Sequence, residues 1–474
     1  MLTKTRFLQF LTCPNEFWLA HHLPLLAARE ETLEYQHLRQ QGYAVQRLVR
    51  EMPMFRGIDP ALYQVDFERA FKTDDLYAKS DVVVTDKRTG QLSIYEIKSS
   101  SKVKDEHIYD VAFQRAVAEL NGFNAAGTYV ITMNGDYVRY GELVPDDLFI
   151  VNDVTDRVAA KAWETKEQIA NAFKYLKTMS VPNLLEYCDA NKLDCSYIKH
   201  HFPDLPEYTV FDIAYLKNDK RRELLGEGIV AVTDVPEHFA LSPKQKIQVA
   251  TAKSGQIFID TTEIGRRFDD WEYPLHFLDY ETFSYAIPQF DGIRPFQQMC
   301  FQYSLHTIVK PGGETTHSHF LSRGDDDPPR AMAAHLREAM GCGIGTVFVW
   351  YEPFEKGRNS EMAAMFPEFK EFFEEVNAKT YDLMKIFSDN LYIHPEFKGR
   401  TSIKKVLPVL CPDLSYSELG IGDGMTASIS WFHMATKRYD DSRSQQIFDD
   451  LCAYCHLDTL AMVEIFTVLR KLEK

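Results

Sequence analysis

Two stretches of this chain read as apolar strands that carry acidic residues, and this feature most restricts how the chain can fold. The first is a pair of runs, DVVVTD and LSIYEIK, which the turn-forming segment KRTG separates as in a β-hairpin. The second is the run YPLHFLDYETF, which another apolar strand, TVFVWY, and several helical patterns follow. Strands that alternate with helices predict an α/β fold, here with two α/β domains.

The length of 474 residues agrees with more than one hydrophobic core, because a domain usually holds about 100 to 200 residues. We predict a first domain over residues 1–205, a connector over 206–273 and a second domain over 274–474. Hydrophobic residues make up 45% of the chain and charged residues 26%, which is typical of proteins that bury a core.

The first residues of the chain lack the apolar stretch and small-residue cleavage site of a secretion signal. No charge-free apolar run reaches the length of about 18 residues that a membrane span needs. We therefore expect a cytoplasmic protein with no membrane partner. In that compartment the eight cysteines are expected to be free thiols or metal ligands rather than disulfides.

The balance of charge restricts how the chain could bind nucleic acid. With 53 basic and 69 acidic side chains, the net charge of -16 has the wrong sign for binding by overall charge. Contacts with DNA or RNA must therefore be local, and bound cations would offset the carboxylates. The phosphate-binding loop G-x-x-x-x-G-K-[ST] does not occur in the sequence, so an ATP-driven motor within the chain is not expected.

The first cluster of candidate site residues lies in the predicted hairpin and the helix after it. Asp81 opens the first strand, while Glu96 and Lys98 are two positions apart and so share one face of the second. Asp110 and Gln114 follow one turn apart on a helix. Carboxylate oxygens suit Mg²⁺ or Mn²⁺, which activates water for phosphodiester cleavage. An ordinary surface ion pair is the alternative interpretation.

These motifs, with TRFLQFLTCPNEFWL and EYQHLRQQGYAVQRLVREM, resemble the RecB-like branch of the PD-(D/E)XK nucleases, which includes the CRISPR-associated RecB-like exonucleases and the AddB nuclease domain. The resemblance covers the first predicted domain and implies a restriction-endonuclease-like α/β core. It also implies that Asp81 and Glu96 hold the metal, that Lys98 orients or activates the water, and that Gln114 supports them. Many relatives carry a histidine where this chain has Gln46, so one metal ligand is expected to be missing.

Three cysteines and one histidine form a second candidate site at the ends of this domain. In RecB-like relatives an iron-sulfur cluster often joins these ends, with one cysteine near the N-terminus and three after the core. Here the corresponding residues are Cys13, Cys188, Cys195 and His201. The resemblance implies either a 4Fe-4S cluster with one unusual ligand or a zinc ion. Ordinary buried thiols are the alternative.

The second cluster of carboxylates comes from two distant parts of the chain. Asp279 and Glu281 follow the apolar run HFL and share one strand face. Near the C-terminus, Tyr454 and Asp458 are four apart on the apolar stripe of a helix, so Asp458 is predicted to point inward. Buried carboxylates are costly unless a cation or hydrogen bonds compensate them. The pattern therefore predicts a metal site formed by Asp279, Glu281 and Asp458.

Together with the segment TVFVWYEPFE, these motifs resemble the DEDD exonucleases, which are DnaQ-like and have an RNase H-like α/β fold. In that family four acidic residues bind two metal ions and a tyrosine, here Tyr454, positions the attacking water. Two residues are candidates for the middle carboxylate, Glu355 and Asp382, and the family usually has aspartate where Glu355 stands. The longer glutamate side chain could impair a two-metal geometry. Lys404 and Lys405 could contact phosphates or lie on a solvated helix face.

The pairing of these two domains resembles a bacterial fusion family and predicts a nuclease that depends on Mg²⁺ or Mn²⁺. We expect DNA, rather than RNA, to be its partner. The alternative is a nucleic-acid-binding or partner-binding scaffold in which one or both sites have lost function, and Gln46, His201 and Glu355 favour it. The sequence leaves open the polarity, endonucleolytic or exonucleolytic action, protein partners, the pathway and the oligomeric state.

Overall fold

The computed structural model describes residues 1–27, 31–181, 183–188, 195–324 and 327–473. Within these residues helices and strands alternate, which confirms the predicted α/β class. The chain divides into two compact units. The first unit comprises Met1–Leu184, Asn191–Pro203 and Tyr285–Gln297, and the second comprises Leu185–Ala190, Asp204–Ser284 and Gln298–Lys474. The predicted connector, residues 206–273, thus belongs to the second unit.

The first unit is built on a six-stranded sheet with helices around it. Its strands are β1 (Leu2–Thr3), β2 (Tyr63–Lys72), β3 (Leu76–Asp86), β4 (Leu92–Ile97), β5 (Ala125–Met133) and β6 (Phe149–Asp153). Its helices are α1 (Lys4–Thr12), α2 (Pro14–His22), α3 (Pro24–Ala27), α4 (Leu33–Arg50), α5 (Pro53–Arg56), α6 (Asp105–Leu120), α7 (Pro145–Leu148), α8 (Thr155–Ala160), α9 (Ala162–Lys177) and α10 (Ser196–His201).

The sheet order β1-β3-β4-β5-β6, with β2 also paired to β3, sets the position of the first carboxylates. Strands β3 and β4 are antiparallel, with Val82 opposite Tyr95, which confirms the predicted hairpin. Strands β4 and β5 are parallel, and α6 makes the crossover that parallel strands require. Apolar side chains of β3 and β4 pack with Phe7 of α1 and Phe113 of α6 in one core. Helices α1 and α6 therefore lie beside the hairpin that carries Asp81 and Glu96.

The second unit contains a five-stranded sheet, a small two-stranded sheet and ten α-helices among its described residues. The strands are β7 (Phe258–Ile259), β8 (Leu275–Phe283), β9 (Met299–Ile308), β10 (Thr315–Leu321), β11 (Val347–Val349), β12 (Thr380–Asp382) and β13 (Tyr392–Ile393). The helices are α11 (Asn218–Gly226), α12 (Pro243–Ser254), α13 (Thr261–Phe268), α14 (Pro328–Met340), α15 (Glu352–Met365), α16 (Lys370–Lys379), α17 (Lys385–Ser388), α18 (Ile403–Leu410), α19 (Gly424–Ala435) and α20 (Asp441–Arg470).

The larger sheet has the order β10-β9-β8-β11-β12. Strands β8, β11 and β12 are parallel, whereas β9 is antiparallel to both β8 and β10. The chain leaves β8 toward β9 on one side and leaves β11 through α15 and α16 toward β12 on the other. In open α/β sheets, ligands bind at the carboxyl ends of strands where the connections diverge in this way.

Helix α20 packs across this sheet and places the C-terminal motif. Its buried residues include Tyr454, Asp458, Ala461 and Ile465, which confirms the predicted inward stripe. Among the described residues it is the one helix with the length and hydropathy of a membrane span, and 61% of its most apolar window is buried inside the protein. Core helices of soluble proteins have the same properties, so this helix is weak evidence for a membrane span.

Candidate metal and catalytic sites

The first unit brings Asp81 of β3 beside Glu96 at the end of β4. The backbone amide of Ile97 donates a hydrogen bond of 2.8 Å to Asp81 Oδ2, and Gln46 Nε2 donates one of 3.1 Å to Oδ1. Gln46 therefore lies beside Asp81. It contributes a hydrogen-bond donor to Asp81, and both Asp81 oxygens are engaged by the protein.

Glu96 is the centre of this cluster, with only 2% of its surface exposed. Lys98 Nζ lies 2.8 Å from Glu96 Oε1, and Gln114 Nε2 donates a hydrogen bond of 2.7 Å to Oε2. The shared face of Glu96 and Lys98 and the Gln114 helix therefore meet, as their spacing predicted. Lys98 lies just past the end of β4 and continues the pairing with β5 through its backbone amide.

Two members of this cluster were not assigned a role from the sequence, namely Lys4 and Asp110. Lys4 Nζ lies 2.8 Å from Glu96 Oε1 and 3.3 Å from Asp110 Oδ1. Lys98 Nζ lies 2.5 Å from Asp110 Oδ2, so two ammonium groups join the same two carboxylates. The spacing of Asp110 and Gln114 was a usable signal for Asp110. Lys4 had no signal, because its position depends on how α1 packs.

The charges of this cluster compensate one another. Burial opposes ionisation of Glu96, but the Lys98 and Lys4 ammonium groups hold its pKa below the ordinary value. Conversely, burial opposes the charge on Lys98, but Glu96 and Asp110 raise its pKa above the ordinary range. Burial and the nearby Glu96 charge raise the pKa of Asp81 to about 7. Glu96 is thus a carboxylate whose counter-ions are already supplied by the protein.

The predicted cysteine site has a different geometry. Cys13 and Cys195 each begin a helix, and their Sγ atoms accept hydrogen bonds from the amides of Glu16 at 3.5 Å and Ile198 at 3.4 Å. Burial raises the pKa of the Cys195 thiol to about 11. Among the described residues, Cys13, Cys195, Cys188 and His201 do not form a group whose ligand atoms all lie within 4.8 Å of one another. A metal bound by these four residues stays a prediction.

The second unit brings three predicted carboxylates together. Asp279 and Glu281 lie on β8 and Asp458 on α20, and their candidate ligand atoms all lie within 4.8 Å of one another. Glu281 is 7% exposed and Asp458 is 8% exposed. Asp279 and Glu281 lie in β8 just beyond its parallel pairing with β11, on the side toward the carboxyl ends of these strands, where open α/β sheets bind ligands.

These three carboxylates repel one another. Burial, followed by the charges of Asp458 and Glu281, raises the pKa of Asp279 well above its ordinary value. Burial and the charge of Asp458 raise the pKa of Glu281 in the same way, and burial raises the pKa of Asp458 to about 6. Lys404 partly counteracts the shifts of Glu281 and Asp458. The arrangement is stabilised either by protons or by a bound cation.

The two candidates for the middle carboxylate have different surroundings. Asp382 accepts hydrogen bonds from the backbone amides of Glu352 at 3.2 Å and Met384 at 3.0 Å, so it helps to hold the start of α15. Glu355 is 3% exposed, and its Oε2 is buried without a hydrogen-bond partner in the described structure. Burial raises the pKa of Glu355 to about 8, and the charge of Glu355 contributes to the raised pKa of Asp279. Glu355 is therefore the better candidate for the middle ligand.

Tyr416, Tyr454 and Lys404 lie around Asp458, and the sequence analysis missed only Tyr416. Tyr416 donates a hydrogen bond of 2.6 Å to Asp458 Oδ1. Lys404 Nζ donates one of 3.2 Å to the hydroxyl of Tyr454, which the sequence analysis placed here. Lys404 is thus held in the site, whereas Lys405 is exposed. The sequence carried no signal for Tyr416, because it lies in a loop between α18 and α19.

A cysteine also lies beside these carboxylates. Cys455 is buried one residue after Tyr454, and its Sγ lies 3.9 Å from Asp279 Oδ2. Burial and the charge of Asp279 raise the pKa of this thiol well above its ordinary value. Cys455 therefore packs as a neutral thiol against the carboxylate group.

Comparison with known proteins gives partial matches. The family described as "Domain of unknown function (DUF2779)" matches residues 276–402, a range that includes Asp279 and Glu355 but ends before Asp458. The chain is 28% identical over 222 residues to "Uncharacterized protein UU173" of Ureaplasma parvum serovar 3, covering 41% of this chain. It is 27% identical over 209 residues to "Uncharacterized protein MG366 homolog" of Mycoplasma pneumoniae, covering 40% of this chain. Each match covers 31% of the relative's length.

Proposed function

We propose that this chain is a metal-dependent nuclease that hydrolyses phosphodiester bonds of DNA, and that Asp279, Glu281 and Asp458 form its principal catalytic centre. The observation that carries this proposal is the convergence of their ligand atoms within 4.8 Å. Among the described residues, no lysine or arginine nitrogen forms an ion pair within 4.0 Å of these carboxylates. A divalent cation is the partner that would allow all three to ionise at neutral pH.

The donor set fits Mg²⁺ or Mn²⁺, because these hard cations prefer carboxylate oxygens. Asp279, Glu281 and Asp458 would hold the metal, and Glu355 is an additional buried carboxylate whose charge raises the pKa of Asp279. A bound divalent cation lowers the pKa of water and offsets the negative charge that develops on a phosphate during hydrolysis.

The protein residues around the carboxylates supply orientation. Tyr416 fixes one oxygen of Asp458, and Lys404 holds the hydroxyl of Tyr454 at 3.2 Å. Tyr454 is thereby available to orient a water molecule or a phosphate oxygen. The chain has a net charge of -16, so a substrate phosphate needs a local positive charge at the site. Lys404 provides this charge.

We assign the PD-(D/E)XK-like cluster a subordinate role, as a second nuclease site or as a DNA-binding site without cleavage. The resemblance supports cleavage by Asp81, Glu96 and Lys98 with one metal ion. The position of Lys4 favours binding without cleavage, since its Nζ lies 2.8 Å from the Glu96 oxygen that a metal would need. Lys4 would have to move before a cation could replace it.

The direct test uses purified full-length protein and end-labelled single-stranded DNA, double-stranded DNA and RNA of the same sequence. We expect cleavage of DNA with Mg²⁺ or Mn²⁺ and none with EDTA, with a product ladder that reports polarity. Absence of cleavage with either metal, alongside measurable DNA binding, would favour the scaffold alternative. Cleavage that persists in an Asp279→Asn, Asp81→Asn double variant would contradict both catalytic assignments.

We propose that the nuclease acts in the cytoplasm.

A further inference from the structure

Three histidines converge on the second unit, separately from the carboxylates. His306 lies on β9, His317 on β10 and His456 on α20, and one ring nitrogen from each lies within 4.8 Å of the other two. The ring centroid of His456 is 4.8 Å from that of His306 and 4.4 Å from that of His317. Three separate elements therefore direct imidazole groups at one point.

Hydrogen bonds orient two of these rings. His306 Nδ1 lies 2.8 Å from Thr459 Oγ1, which lies 2.7 Å from Ser304 Oγ, and Ser304 Oγ lies 2.9 Å from His317 Nε2. Each of the two rings thus uses one nitrogen in a chain of hydroxyl groups, and its second nitrogen has no hydrogen bond among the described residues. Metal-binding histidines are held in the same way, because the second nitrogen needs a partner that fixes the ring orientation.

The positions of the rings differ in a way that suits an accessible metal site. His306 is the buried member of the group, with 3% of its surface exposed, whereas His456 is partly buried and His317 is exposed. Among the described residues, the His456 ring has contacts with other rings but no side-chain hydrogen bond. Burial lowers the pKa of His306 to about 3 and that of His317 to about 4, so both are neutral and able to donate a lone pair.

We propose that His306, His317 and His456 bind one Zn²⁺ ion per chain and that this ion fastens the edge strand β10 to α20. Zinc accepts imidazole nitrogens at about 2.0–2.1 Å, which places tetrahedral ligands about 3.3 Å apart. The nitrogens lie within 4.8 Å of one another, so modest side-chain rotation would close the site. Three histidine ligands would leave one position of a tetrahedral zinc ion for water or another ligand.

The proposed zinc site is chemically distinct from the carboxylate centre. Nitrogen ligands favour zinc, copper and nickel, whereas carboxylates favour Mg²⁺ and Mn²⁺. His319 is the remaining histidine next to the group, with its ring 5.4 Å from that of His317 and stacked on it. A zinc ion at the histidines would stabilise the folded unit without taking part in DNA cleavage.

The test is calorimetric titration of chelator-treated, full-length protein with Zn²⁺ in the presence of excess Mg²⁺, which occupies carboxylate sites. We expect one Zn²⁺ per chain whose binding depends on these histidines, with an increase in the thermal unfolding midpoint; a second ion bound at the predicted cysteine site would be unaffected by the histidine variants. His317→Ala, which alters an exposed side chain, is expected to weaken Zn²⁺ binding at least about tenfold and to abolish the thermal shift. His238→Ala, at another exposed histidine, is the matched control and is expected to bind Zn²⁺ normally.

Two further variants separate this proposal from the proposed nuclease function. His456→Ala should weaken Zn²⁺ binding like His317→Ala, whereas Asp279→Asn should leave it unchanged. Equal Zn²⁺ affinity in the wild-type protein and His317→Ala would overturn the proposal, as would loss of Zn²⁺ binding in Asp279→Asn. Loss of DNA cleavage with retained Zn²⁺ binding would contradict only the nuclease assignment.

Discussion

In the first unit the carboxylates of Glu96 and Asp110 lie against two lysine ammonium groups, whereas in the second unit Asp279, Glu281 and Asp458 lie against one another. Both clusters combine carboxylates on strands of an α/β sheet with residues of a helix that packs on the sheet. In the first cluster burial and the charge of Glu96 raise the pKa values of Asp81 and Asp110, but Glu96 itself shifts in the opposite direction from the carboxylates of the second cluster. The pKa of Glu96 is lowered by lysines, and the pKa values of Asp279 and Glu281 are raised by burial and by neighbouring carboxylates.

This difference indicates which cluster needs a cation. A buried charge is tolerated when a partner of opposite sign accompanies it. The protein itself provides that partner for Glu96, but it provides mainly hydrogen bonds and the nearby Lys404 for the second cluster. Functional sites often contain acidic groups that repel one another in the folded protein. These groups lower the stability of the fold but allow a ligand to bind.

The largest expected effect is on DNA cleavage. Asp458→Asn removes one ligand of the carboxylate group and is expected to reduce cleavage about 10³-fold, which corresponds to about 4 kcal/mol of transition-state stabilisation. Asp449→Asn, at an exposed position of the same helix, is the matched control and should keep full activity. Glu96→Gln should keep cleavage within about tenfold of wild type. Initial rates on end-labelled DNA with Mn²⁺ measure these ratios, and a larger loss in Glu96→Gln than in Asp458→Asn would reverse the comparison.

The second expected effect is on stability in the absence of metal. Glu96→Gln leaves Lys4 and Lys98 without their shared carboxylate and is expected to lower the free energy of unfolding by about 3 kcal/mol. Asp279→Asn removes one of several repelling charges and is expected to raise it by about 1 kcal/mol. Urea unfolding in EDTA measures both values. Destabilisation of similar size in the two variants would show that the clusters do not differ in their charge compensation.

The third effect is a dependence of stability on pH. Asp458 and Glu355 have folded pKa values of about 6 and about 8, above the unfolded value of about 4. The folded state therefore binds more protons than the unfolded state between pH about 4 and these values, and stability falls as pH rises through that window. For Asp458 this loss is about 3 kcal/mol over the whole window.

The measurement for this prediction is the thermal unfolding midpoint in EDTA between pH 5 and pH 8. We expect it to decrease with pH in the wild-type protein and to decrease less in Asp458→Asn. Asp81 also has a raised pKa, of about 7, so it adds to the loss of stability with rising pH. The Asp81→Asn variant measures the size of this contribution. The lowered pKa of Glu96 affects stability only below this window. Equal pH dependence in wild type and Asp458→Asn would contradict the assignment to the second cluster.

The smallest effect is expected from the hydrogen bond that Tyr416 donates to Asp458. Tyr416→Phe keeps the ring and removes the hydroxyl, so the orientation of the carboxylate is weakened while its charge remains. Partners of metal ligands usually contribute about 10-fold or more to metal affinity or activity. We expect about a tenfold increase in the Mn²⁺ concentration that gives half-maximal cleavage. Tyr439→Phe is the control, because it removes a tyrosine hydroxyl of the same unit that is hydrogen-bonded to His433 and not to a carboxylate of the site. An equal effect of both variants would argue against a specific role of Tyr416.

Several members of both clusters were predictable because their spacing within one element determines which way they face. The two-residue period of a strand placed Asp279 with Glu281, and the four-residue spacing on a helix placed Asp458 with Tyr454. The hairpin and the α/β class followed from the apolar runs and from the turn at KRTG.

The remaining features depend on packing between distant parts of the chain. Lys4 reaches Glu96 only because α1 packs beside the hairpin, and Tyr416 reaches Asp458 from a loop. The choice between Glu355 and Asp382 required knowing that backbone amides already occupy Asp382. Sequence periodicity contains no information of this kind, so lysines and tyrosines that complete a site are the residues it misses.

The central claim is that the second cluster, and not the first, is the main binding site for divalent cations. Titration of metal-free, full-length protein with Mn²⁺, with bound ions counted by calorimetry, tests it most directly, because Mn²⁺ prefers oxygen ligands over the histidine group. We predict that wild type and Glu96→Gln bind Mn²⁺ with similar affinity and that Asp279→Asn loses this binding. Retained Mn²⁺ binding in Asp279→Asn together with its loss in Glu96→Gln would contradict the account.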